Sequence, residues 1–201
     1  MLEEKKEKNF EKKQELVDAA IDEFGEKGYE KASLNNILRA AGISKGTFYY
    51  HFENKEELYL YLISIFIEKK KSFFADYVKP EDFNKNIFIL LKIMTRAGLE
   101  FAKQNPTINK FSEAFVKERG NKIYNKMLKR FSFESDDYFN ILIENAYLKG
   151  ELRTDIPKEF TKHVITYLFT HLQDITDIKN VDDFEPAANY LIEFMKNGLG
   201  K

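Results

Sequence analysis

The chain has 201 residues, 43% hydrophobic and 32% charged, with 4 Pro and 9 Gly, which excludes a chain disordered as a whole and leaves room for a sizeable buried core. Its formal net charge of −1 excludes a polycation that coats nucleic acid indiscriminately, so any contact with a polyanion has to be local. The absence of cysteine excludes disulfides and thiolate chemistry, and the charged start with no long apolar run gives neither signal peptide nor membrane span; we expect a cytoplasmic protein that stays off membranes.

Lys5, Lys6, Lys8, Lys12 and Lys13 open the chain, interleaved with Glu3, Glu4, Glu7, Glu11 and Glu15. This arm reads first as a solvated helix start and second as a DNA contact. Phe10, Val17, Ala20, Ile21 and Phe24 then fall on one stripe of a helix over about 10–27, which Gly28 ends, and Tyr29 is expected to pack back under the next two helices. Ser33 caps a short helix carrying Leu34, Ile37, Leu38 and Ala41 at three-to-four spacing, and Gly42 stops it. Ser44 caps a second short helix, with Phe48 and Phe52 four apart on one face. Two short helices joined by a Gly-bearing turn make a helix-turn-helix.

On the second of these helices Gly46, Thr47 and Tyr50 lie opposite the Phe48/Phe52 face, flanked by Lys45, Tyr49 and His51. Hydroxyl, phenol, imidazole and ammonium groups all donate to phosphate oxygens or base-edge acceptors, and Gly46 lets backbone approach closely. A solvated helix has no reason to expose two tyrosines. Residues 32–52 contain no Asp or Glu although 33 residues of the chain are acidic, and Arg39, Lys45 and Lys55 against Glu53 give residues 32–55 a local charge of +2. A phosphate-facing surface should lack carboxylates.

The run LVDAAIDEFGEKGYEKAS followed by ILRAAGISKGTFYYHFENKEEL, Leu16 to Leu58, resembles the DNA-binding region of TetR-type transcriptional repressors, with AAG, SKGTFYYHF and NKEEL in order at the family's spacing. The resemblance implies that Ser33, Asn35 and Asn36 lie near phosphates or bases at the start of the first helix of the unit. It makes Lys45, Gly46, Thr47, Tyr49, Tyr50 and His51 the recognition helix and Lys55 a phosphate anchor. Ala32 stands where the family usually has Thr, and Leu38 where a small residue is common.

Asn54 is expected to cap a long helix reaching about Val78, with Leu58, Leu62, Ile65, Phe66, Phe73 and Phe74, a lever roughly 35 Å long. We divide the chain there, 1–54 as a DNA-binding domain and 55–201 as a helical ligand-binding and dimerisation domain. Further helices are expected at about 81–104, 106–117, 119–133, 135–149, 158–178 and 184–197, with Pro80, Pro106, Pro157 and Pro186 at helix starts and Gly150 closing one. Phe88, Phe101, Phe111, Phe115, Tyr124, Met127, Phe131, Tyr138, Phe139 and Tyr147 form an aromatic core, a subset of them lining a cavity in the functional reading. Arg96, Glu100 and Asn145 are equally cavity polar groups or surface residues. The last two helices carry apolar faces broad enough for a four-helix bundle with a second copy, the arrangement the resemblance implies, or for closing the subunit's own core.

No catalytic constellation, cofactor motif or metal site is found. His163 and His171 stand eight apart on one helix, about 12 Å along its axis. Asp136 and Asp137 follow Ser135 at a helix start, where free N–H groups favour carboxylates. The reading is an all-α homodimer that binds double-stranded operator DNA and, by resemblance, a repressor released by an unidentified small apolar or amphipathic effector. An activator, a ligand-independent regulator or a helical interaction module remains an alternative.

Overall fold

A computed structural model describes residues 11–131, 137–176, 178 and 181–201. Phe10, the arm residues before it, Ser135, Asp136 and the side chains of Asp137, Tyr138 and Phe139 lie outside what is described. The order is α1 (Lys13–Lys31), α2 (Leu34–Ala41), α3 (Lys45–His51), α4 (Lys55–Tyr77), a 3-10 turn (Pro80–Asn84) and α5 (Ile87–Gln104). After these come α6 (Pro106–Val116), α7 (Lys122–Arg130), α8 (Asp137–Leu148), α9 (Lys158–Thr170), α10 (Leu172–Ile175) and α11 (Val181–Leu199). The class is all-α; among the described residues the extended pairing is a lone bridge between Leu152 and Gly200.

Two compact units form, one from Met1–Glu68 with Asn105–Phe131, the other from Lys69–Gln104 with Ser132–Lys201. They do not follow a division at Asn54. Periodicity cannot show why: α6 lies along α1, and its Phe111 ring meets Tyr59 at 5.2 Å and Phe66 at 4.9 Å, both on α4. The first unit thereby buries Leu16, Phe24, Ile37, Phe48, Leu58 and Leu62 fully. The first three helices alone bury little surface, and α4 and α6 enlarge the core of this unit. The second unit buries Ile87, Phe88, Leu91, Ile143, Ile165, Ile192 and Met195 between α5, α8, α9 and α11.

Several expectations change. The helix expected at 158–178 breaks at His171, whose φ of −114° and ψ of 20° are not helical and whose ring stacks on Tyr167 at 4.0 Å. Pro186 falls inside α11, not at its start, because α11 begins at Val181 and takes the acidic stretch read as a turn into its first turn. Gly28 interrupts α1 as expected, with φ 71° and ψ 174°, yet the chain makes one further turn to Lys31. Ala32 and Leu38, the two departures from the family pattern, are both buried.

Candidate nucleic-acid interface

The helix-turn-helix is built by its caps. Ser33 accepts the Asn36 N–H at 3.4 Å, opening α2, and Ser44 accepts the Thr47 N–H at 3.0 Å, opening α3. Between them Gly42 adopts φ 63° and ψ 38°, and the Ile43 N–H bonds the Leu38 carbonyl at 3.0 Å. That left-handed residue turns the chain so that Ile37, Leu38, Ala41 and Phe48 all point into the core.

With Phe48 at 0% exposure, the opposite side of α3 faces outward: Tyr49 is 56% exposed and Tyr50 61%, and Lys45, Gly46 and Thr47 are exposed with them. His51 is half-buried, its ring 5.0 Å from that of Tyr50. A Cβ on Gly46 would meet nothing closer than Ser44 Oγ at 3.7 Å, so the fold does not require glycine there and its absent side chain leaves backbone uncovered. The Thr47 hydroxyl is 2.9 Å from Ser44 Oγ, which fixes its orientation. Phe52 is half-buried and stacks on Phe48 at 5.6 Å. Neither α2 nor α3 carries an acid, so the surface presents donors without a competing carboxylate.

Asn35 is exposed on α2, while Asn36 and Ser33 are drawn into a network that sequence spacing did not reveal. Glu23 of α1 accepts the Ser33 N–H at 2.9 Å and Asn36 Nδ2 at 3.3 Å, and pairs with Lys27 at 2.9 Å. Burial opposes ionisation of Glu23, but the donors from Ser33, Lys27 and Asn36 outweigh it and hold its carboxyl below the usual range. Asn36 Oδ1 in turn accepts from Arg39 Nη2 at 2.9 Å.

Lys55 sits differently from a phosphate anchor. Its ammonium donates to the carbonyls of Tyr29 at 2.7 Å, Ala32 at 3.0 Å and Glu30 at 3.3 Å, and lies 4.6 Å from the centre of the Tyr29 ring. All three ammonium protons are thereby committed to the carboxyl end of α1, where a cation is favoured. Asn54 does cap α4, accepting the Glu57 N–H at 3.0 Å. The acids opening α4 are answered from α7, Lys126 to Glu56 at 2.7 Å and Arg130 to Glu57 at 2.9 Å. On the other side of Tyr29, the buried Glu118 accepts its N–H at 2.8 Å and also takes Asn121 Nδ2 at 2.6 Å. No local signal could have linked Glu118 to Tyr29, which are 89 positions apart.

The second unit holds a groove of about 560 Å³ between α9, α10 and α11, lined by Leu168, Leu172, Ile175, Tyr190, Leu191 and Phe194. Ile175, Tyr190 and Phe194 of this lining are more than half exposed, as is Tyr167 on α9. Of the residues weighed as cavity polar groups, Arg96 is exposed and pairs with Glu185 at 2.9 Å, Asn145 is exposed and Glu100 half-buried. Phe88 and Phe101 are core of this unit and Phe111 and Met127 core of the first, while Phe115 stacks on Tyr124 at 5.2 Å. Tyr147 Oη and Thr161 Oγ1 are buried without a hydrogen-bond partner. Among the described residues no three His, Asp or Glu side chains gather to hold a metal, and no helix is long and apolar enough to cross a membrane.

Residues 16–62 match the family model for bacterial regulatory proteins of the tetR family. Over 194 residues the chain is 23% identical to the HTH-type transcriptional regulator QacR of Staphylococcus aureus, covering 94% of this chain and 98% of that one. A TetR family transcriptional regulator from Chloroflexus aurantiacus superposes with a TM-score of 0.74 at 24% identity, covering 97% of this chain and 96% of the other. The transcriptional regulator FadR from Bacillus subtilis, solved in complex with stearoyl-CoA, superposes with a TM-score of 0.66 at 19% identity, over 92% of this chain and 98% of that one.

Proposed function

We propose, on the premise that the chain belongs to the TetR family of transcriptional regulators, that this non-enzymatic protein is a homodimeric repressor whose paired α3 helices occupy successive major-groove faces of an operator. One observation carries the reading: α3 buries Phe48 and turns Tyr49, Tyr50, Lys45 and Thr47 outward on a surface without carboxylates. Ser33, Asn35, Asn36, Gly46 and His51 complete the proposed DNA face. Lys55 joins it only if its three carbonyl bonds open on binding. Half-sites one helical turn apart require the two α3 helices to stand about 34–36 Å apart.

The dimer is proposed to form through the faces at about 158–178 and 184–197, now α9 to α11. The exposure of Tyr167, Ile175, Tyr190 and Phe194 supports this, because apolar side chains at such density usually meet a partner. The effector is proposed to be small and apolar or amphipathic, a class to which the stearoyl-CoA held by the neighbouring FadR belongs. An effector that prefers a subunit pair with the wrong α3 separation lowers DNA affinity by the same factor by which DNA lowers effector affinity. With 23 residues, about 35 Å, α4 is the lever proposed to carry that change.

A salt titration with duplex DNA of random sequence tests the reading. Binding should weaken with a log–log slope of several units, since a dimer neutralises several phosphates. A protein that stays monomeric and does not retain duplex at low salt overturns it.

A further inference from the structure

Arg39 stands apart from the arginines whose ionic partners are clear. Arg96, Arg130 and Arg153 each pair with a carboxylate, on Glu185, Glu57 and Asp155 respectively. Arg39 instead donates to a neutral amide, Asn36 Oδ1 at 2.9 Å, and among the described residues no carboxylate is paired with it. It is exposed in the last turn of α2, four residues after the exposed Asn35 and therefore on the same side of the helix.

The amide is itself held. Asn36 Nδ2 donates to Glu23 Oε1 at 3.3 Å, which fixes which end of the amide faces Arg39, and Glu23 is fastened by the Ser33 N–H and by Lys27. The result is a chain from α1 to the surface of α2: carboxylate, amide, guanidinium. One guanidinium N–H is used, so four remain for another acceptor. A long arginine side chain on a helix surface normally samples many rotamers; an amide anchored from behind removes much of that freedom before any ligand arrives.

We propose that Arg39 is a phosphate contact of the DNA interface and that Asn36 is the positioning residue that aims it. This rests on the DNA-binding reading above and assigns Asn36 a role through Arg39 in place of a direct one. A phosphate is the matching acceptor, because the guanidinium fork takes two of its oxygens at once and keeps its charge throughout.

The test uses the full-length protein and a duplex of random sequence, with binding followed against salt. Wild type comes first: if it shows no salt-dependent binding, the functional reading fails and the Arg39 contact, which rests on it, falls with it; failure of the contact alone is read from the variants. If wild type binds, Arg39→Gln should lower the slope by roughly one unit per protomer and weaken binding at 0.1 M salt about 8-fold per protomer. Arg39→Lys should keep the slope. Since Arg39 is exposed, circular dichroism should give Arg39→Gln the wild-type thermal midpoint. An unchanged slope in Arg39→Gln overturns the phosphate contact. Asn36→Ala should weaken binding in the Arg39 background and leave the Arg39→Gln protein unaltered. Equal weakening in both backgrounds overturns the positioning role and returns Asn36 to a contact of its own.

Discussion

The peptide of Tyr29 is gripped from both sides, and replacing Gly28 by Ala measures how much that grip contributes. Gly28 has φ 71° and ψ 174°, a region closed to residues with a Cβ, and forcing alanine into it costs about 1–3 kcal/mol. A Cβ there would also lie 2.7 Å from Glu118 Oε1, so the carboxylate must withdraw. Its withdrawal strips the part-buried Tyr29 N–H of its acceptor, a further cost of about 1–3 kcal/mol. We expect a total near 4 kcal/mol, read by urea denaturation at fixed protein concentration. Glu118→Ala removes the acceptor but not the backbone conformation and should cost about 2 kcal/mol. The double variant should be no less stable than Gly28→Ala alone, a coupling of about 2 kcal/mol, because the carboxylate is already displaced in the single change. Amide exchange at Tyr29 should be slow in wild type and fast in both single variants. Strict additivity, or a Gly28→Ala protein as stable as wild type, would refute the account.

Phe48→Ala should cost about 3–5 kcal/mol and unseat α3, whereas Tyr50→Ala should leave the thermal midpoint in place and weaken duplex binding; stability and affinity measured side by side separate the two faces. Lys55→Gln should lower stability by about 2 kcal/mol through its lost carbonyl bonds; a drop in salt slope at unchanged stability would instead mark it as a phosphate contact. Thr161→Val removes a buried hydroxyl that has no partner and should raise stability by about 1 kcal/mol in a urea melt. Burial, then the carboxylates of Glu56 and Glu30, push the Tyr29 phenol up from 10.0 to about 12. The folded state therefore holds that proton more tightly: its contribution is full below pH 10 and is lost as pH rises through 12, and Tyr29→Phe should flatten this alkaline loss.

The helix-turn-helix was legible in the sequence because everything that defines it is local. Ser33, Gly42 and Ser44 mark ends by their own chemistry, and Phe48 sets which side of α3 is inside; Phe52, expected on the same helical face, instead ends the helix as an extended, half-buried residue stacked on Phe48. What spacing cannot carry is the destination of a long side chain. Lys55 follows a cap and precedes two acids, a pattern that suits a phosphate anchor as well as a lysine turned back on α1, and its contacts with the α1 carbonyls appear only once the chain is folded. Glu118 and Glu23 are likewise unremarkable acids until the chain closes on itself. The break at His171 and the early start of α11 escaped for a related reason: apolar periodicity runs straight through both, whereas backbone dihedrals do not. Membership of α6 in the first unit was beyond reach, since Phe111 looks like any core aromatic before it meets Tyr59 and Phe66.

The outward-turned phenols of α3 also give this protein a built-in optical reporter. The chain has 11 tyrosines and no tryptophan, so its ultraviolet emission is phenolic throughout, and two of those emitters stand on the helix that would enter a groove. A base stacked beside Tyr49 or Tyr50 would quench them. Exchanging Tyr50 for tryptophan would set a single red-shifted fluorophore at that spot, and docking could then be timed without labelling either molecule.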